Sequence, residues 1–114
     1  MPWEGFYVGY FTGLTGNAVA LFIFKDGAIA GADMGGATYD GTFKVTDDGQ
    51  HFTGTLTFSV AHGATLITGA SSAGPVRTEV PIRLPTNIAN GDVQRIDSPF
   101  GPINVRFQKI RSLS

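Results

Sequence analysis

Phe22-Ile23-Phe24-Lys25-Asp26-Gly27-Ala28-Ile29-Ala30-Gly31-Ala32-Asp33-Met34-Gly35-Gly36-Ala37-Thr38-Tyr39-Asp40-Gly41-Thr42-Phe43 holds three strand-length pieces separated by two turn signals. Lys25-Asp26-Gly27 ends the first piece. An Asp-Gly pair between apolar runs is a strong hairpin signal, because glycine takes φ > 0 without steric cost. Met34-Gly35-Gly36 ends the second. The third alternates: Tyr39, Gly41, Phe43 and Val45 face one way, Asp40, Thr42 and Lys44 the other. The stretch spells an antiparallel meander.

Working towards the N-terminus, Glu4–Thr12 and Ala18–Phe24 read as the first two strands, joined by a turn at Gly13–Asn17. Both strands are apolar on both faces. Phe6, Val8 and Tyr10 oppose Tyr7 and Phe11; Val19, Leu21 and Ile23 oppose Ala20, Phe22 and Phe24. Antiparallel sheets usually show water one polar face. A second copy of the chain is the cheapest cover for the outer face of these strands.

Towards the C-terminus, Ala28–Asp33 and Ala37–Val45 are strands three and four, followed by a turn at Thr46-Asp47-Asp48-Gly49. Strand five, Gln50–Ala61, has the clearest alternation: Phe52, Gly54, Leu56, Phe58 and Val60 inward, threonines and Ser59 outward. Its Gly54, like Gly41 and Gly31, suits a bend in a closing sheet or spare room inside it. Within 62–74, Thr65–Thr68 fits a short strand and Gly69–Gly74 a flexible loop. Strand six, Val76–Leu84, places Val76, Thr78, Val80, Ile82 and Leu84 inward; its Pro81 cannot donate to a ladder and belongs at an edge or bulge. Pro85–Asn90 is a connector with room for one helical turn. Gly91–Asp97 and Ile103–Ile110 complete eight strands, the last with Ile103, Val105 and Phe107 inward.

Eight strands, short connections and no helix of three or more turns predict an all-β, up-and-down, lipocalin-like barrel in a single domain, 1–114. A two-sheet sandwich is the alternative. Such an interior is either packed or holds one small ligand, and alternation leaves both open. The inward residues nominated for a ligand are Tyr39, Phe43, Phe52, Leu56, Phe58, Val80, Ile82, Val105 and Phe107. The aromatics Trp3, Tyr7, Tyr10, Phe11, Phe22, Phe24, Tyr39, Phe43, Phe52 and Phe58 cluster in the first half, as ligand wall or packed core. Asp33 shares parity with Ile29. It fits either an anchor for a polar ligand head or an acceptor for amides of the Gly35-Gly36 turn, the latter being the usual way a part-buried carboxylate is satisfied.

Composition removes several function classes. The 114 residues contain no cysteine, so disulfides and thiolate metal sites are impossible. A net charge of −1 argues against a nucleic-acid footprint. His51 and His62 lie about 35 Å apart along a straight strand and share no metal; exposed strand-end histidines are the expectation. Gly69–Gly74 lacks the spacing of a nucleophile elbow, and no helix follows it. No enzyme activity, cofactor or metal is expected. The N-terminus lacks a signal-peptide pattern and no apolar run reaches transmembrane length, which makes a cytoplasmic protein without membrane insertion the default.

Phe24–Phe43, with its Lys25-Asp26-Gly27 turn, Gly31-Ala32-Asp33 and Tyr39-Asp40-Gly41-Thr42-Phe43, resembles the signature of the GrlR family, whose best-described members are negative regulators of type III secretion. Gly5-Phe6-Tyr7 is similar to the family's opening. The likeness is good from Glu4 to about Phe58; beyond that, the strand pattern and Val105-Arg106-Phe107 agree in kind. The resemblance implies a small lipocalin-like barrel with an apolar interior, a homodimer, and sequestration of a transcriptional regulator through an acidic loop after strand four. The matching residues are Asp47 and Asp48, two acids where the family has a run of four. A small hydrophobic-molecule carrier is the alternative function.

Overall fold

The computed structural model describes residues 3–13, 16–33, 35–60, 64–65, 71–72, 75–99 and 101–113. Asp26 and Gly27 both have positive φ (52° and 77°), and Lys25 pairs with Ala28. This is the two-residue turn whose twist matches a right-handed hairpin. It joins β2 (Asn17–Lys25) to β3 (Ala28–Asp33). These lie between β1 (Gly5–Thr12) and β4 (Ala37–Val45). β5 (His51–Val60) follows β4. A two-stranded ribbon of β6 (Ala64–Thr65) and β7 (Ser71–Ser72) leads to β8 (Val76–Pro85), and the chain ends with β9 (Gln94–Ser98) and β10 (Gly101–Ser112).

The main sheet has eight strands in the order β8-β5-β4-β3-β2-β1-β10-β9, every pairing antiparallel. β8 and β9 approach each other without a hydrogen-bonded ladder, so the barrel is nearly closed. Pro81 therefore sits on an edge strand, as its missing N–H requires. The barrel is all-β and up-and-down, and no helix occurs among the described residues.

Several boundaries move. Gly91, Asp92 and Val93 do not join β9. Gly91 has φ 93°, and the Asn90 side chain accepts from the Asp92 amide at 2.8 Å, holding a local turn instead. The 86–91 connector contains no helix, yet Ile88 within it is 1% exposed. Ser71 and Ser72, expected in a loop, form β7 opposite Ala64 and Thr65; residues 66–70, 73 and 74 lie outside the described set.

The glycines have a different role from spare room. A Cβ on Gly54 would collide with the Thr42 carbonyl oxygen, and one on Gly41 with that of Thr55. At Gly31 it would lie 2.7 Å from the Leu21 carbonyl oxygen and 2.6 Å from the Phe22 ring. These positions let neighbouring strands cross closely where the sheet bends.

Candidate functional site: a half-hollow barrel

The barrel interior divides into two ends. At the end where β1 begins, Phe24, Phe43 and Phe52 meet edge-on or tilted at ring separations of 5.0–5.8 Å. Trp3 packs edge-on against Phe52 at 5.8 Å and Tyr7 against Phe24 at 5.2 Å. Such aromatic pairs add to their burial energy. Ile88 joins this cluster from the connector. Phe52 is fully buried.

Towards the other end, the inward positions narrow to small residues: Ala18 on β2, Ala37 on β4, Val60 on β5 and Thr78 on β8. A cavity of about 530 Å³ remains, running from Phe24, Ile29 and Leu84 to the strand ends at Asn17, Asp33, Gly35 and Ser98. Small-molecule pockets span roughly 300–1,000 Å³. Of the nominated ligand residues, Tyr39, Leu56, Phe58, Val80, Ile82 and Phe107 line the cavity. It does not reach Phe43 or Phe52, which belong to the aromatic cluster, or Val105, which is fully buried opposite Phe11. Phe11, Phe22, Ile96 and Ile103 also line it. Phe11 and Phe22 share strand parity with Tyr7 and Phe24, which is the signal for them. Tyr10, grouped with the aromatics, faces outward; it donates to Gln108 at 3.2 Å and lies under Arg106.

Asp33 stands at the cavity mouth. Its Oδ1 accepts from the amides of Gly35 (2.9 Å) and Ala37 (3.1 Å), and its Oδ2 from the Tyr39 hydroxyl (3.0 Å). The turn-acceptor reading of this carboxylate therefore holds, and the same turn fixes its position beside the cavity. Burial pushes the Tyr39 phenol well above its ordinary pKa, and the neighbouring Asp33 charge and hydrogen bond push it further. Tyr39 stacks on Phe11 at 6.1 Å and meets Phe22 and Phe58 at 5.2 and 5.4 Å.

The acidic turn after β4 is self-contained on one side. Asp48 accepts from the Thr46 hydroxyl at 2.6 Å and the Gln50 amide at 3.0 Å, and Gly49 has φ 73°. The Thr46 hydrogen bond, then the Gln50 amide, lowers the Asp48 pKa. Asp47 is exposed. His51 departs from the expected exposed strand end: it is half-buried, and its Nδ1 is enclosed without a hydrogen bond. His62 lies outside the described residues. No His, Asp or Glu cluster suited to a metal occurs among the described residues.

The outer face of β1 and β2 is apolar, as the two-faced pattern predicts. Phe6 pairs with Ile23, Val8 with Leu21, and Tyr10 with Val19. Leu21 is 58% exposed, and Ile110 beside this band is equally so. No helix among the described residues is long and apolar enough to cross a membrane. No protein-family model matches the chain, and no curated protein or solved structure is significantly similar to it.

Proposed function

We propose that this chain is a non-enzymatic binding protein that holds an apolar small molecule in the hollow half of its barrel. The observation that carries this reading is the cavity itself: about 530 Å³, walled by Phe, Leu, Ile and Val side chains, beside an end filled by the Phe24, Phe43 and Phe52 rings. Burying a ligand's apolar surface there is favourable at roughly 25 cal/mol per Å². On β4 and β8 the outer positions Asp40, Lys44, Arg77, Glu79 and Arg83 are exposed and charged, the reverse of a lipid-facing wall.

The test is a fluorescence titration with N-phenyl-1-naphthylamine, an uncharged apolar dye. One equivalent should bind saturably. Thr78→Trp, which puts a ring into the hollow, should weaken binding at least about tenfold, the loss of about 1.4 kcal/mol, while the protein stays folded. A dye that does not bind, or binds both proteins equally, contradicts the reading.

A second reading concerns assembly, and the exposed Phe6, Leu21, Ile23 and Ile110 favour it. A homodimer through β1 and β2 would bury this band. In the GrlR-like version of this reading, the dimer binds a transcriptional regulator through Asp47 and Asp48; exposed Asp47 is the acid not held by the turn's own hydrogen bonds. Sedimentation at micromolar concentration should give a dimer that Leu21→Glu converts to monomer. A monomeric parent protein would end this reading and leave the cavity reading standing.

A further inference from the structure

We propose that the cavity selects ligands whose apolar body ends in a cationic amine and disfavours those ending in a carboxylate. This rests on the cavity being a binding site. Among the described residues that line it, Asp33 alone carries a charge. An anionic head at this mouth would face a like charge with no lysine or arginine on the described walls. A carboxylate offers about four acceptor positions. Gly35, Ala37 and Tyr39 occupy three, which fixes the group's orientation and leaves Oδ2 able to accept once more. The Tyr39 oxygen, already donating to Asp33, also retains its acceptor capacity. An ammonium carries three donors, enough to engage both oxygens. Hydrogen bonds between charged partners are the strong ones. Because Asp33 is half-buried rather than enclosed, a cationic head keeps part of its hydration.

Isothermal titration with decylamine, 1-decanol and decanoate at pH 7, below their micellar concentrations, varies the head on one apolar body. Decylamine should bind tightest and decanoate weakest, at least about tenfold apart. Asp33→Asn should narrow that gap to less than about threefold, since the amide keeps the shape and loses the charge. Tyr39→Phe, which leaves the charge in place, should preserve the order and serves if Asp33→Asn does not fold. Decanoate binding as tightly as decylamine would overturn the proposal, as would an Asp33→Asn protein with the full preference. If N-phenyl-1-naphthylamine still saturates in either case, the cavity reading survives. If neither the dye nor any decyl compound binds, both readings fall.

Discussion

Phe52 and Phe58 lie on the same face of β5, yet their surroundings are opposite. Phe52 is fully buried and touched by the rings of Trp3, Phe24 and Phe43. Among the described residues Phe58 meets the ring of Tyr39 alone, and it lines the cavity. The strand supplies the same side chain at both ends. What differs is what faces it: aromatic residues and the Ile88 plug at one end, Ala18, Ala37, Val60 and Thr78 at the other. An eight-stranded barrel is just wide enough to be filled by large side chains. Whether it is hollow depends on a few inward positions being small.

The largest effect that sharpens this contrast is truncation. Phe52→Ala should cost about 3–5 kcal/mol, the usual range for a buried phenylalanine. Phe58→Ala should cost less than half of that, because part of its ring already lacks packing partners. Urea unfolding of both variants checks this. Equal costs would mean that the two ends are packed alike.

Gly54→Leu comes next. If Gly54 gave spare room, leucine would fill it and stabilise the barrel. The close approach of the Thr42 carbonyl oxygen and the Phe43 Cα predicts a loss of about 3 kcal/mol instead, the upper part of the range for forced overpacking. A neutral or stabilising result in the same unfolding assay would return Gly54 to the role of a gap.

A smaller effect separates the two ends by pH. Burial raises the Tyr7 phenol's pKa at the packed end; at the hollow end burial, then the Asp33 charge and hydrogen bond, raise that of Tyr39. A phenol whose folded pKa lies above its unfolded value of about 10 favours the native state. That contribution is complete below pH 10 and is lost as pH rises through the raised folded value. Stability should therefore fall above about pH 10. Tyr39→Phe should flatten this alkaline slope more than Tyr7→Phe, as read from urea midpoints between pH 9 and 11. The reverse ranking would remove Asp33 from the account of the hollow end.

Much of the architecture was legible in local chemistry. Asp26-Gly27 marked a hairpin because both residues need positive φ, and the alternation from Phe52 to Val60 and from Val76 to Leu84 set the inward faces correctly. The interior was harder to read. Glycines fit either a bend or spare room, and Gly31, Gly41 and Gly54 take the first role, because neighbouring backbones approach them. Which end is filled depends on Ile88, a connector residue that belongs to no strand period. Parity placed Phe43, Phe52 and Tyr39 alike on the inside, and could not rank them along the barrel axis. Of the three hydrogen bonds that hold Asp33, the two from the Gly35 and Ala37 amides follow from the Gly35-Gly36 turn; the one from the Tyr39 hydroxyl does not, because it comes from the next strand.

The most direct measurement is an NMR titration of the isotope-labelled protein with N-phenyl-1-naphthylamine. Signals of Tyr39, Phe58, Thr78 and Ile96 should shift and saturate at one equivalent, while those of Phe43, Phe52 and Ile88 stay in place. Shifts confined to Leu21, Ile23 and Ile110 on the outer face, or equal shifts at both ends of the barrel, would contradict the cavity reading.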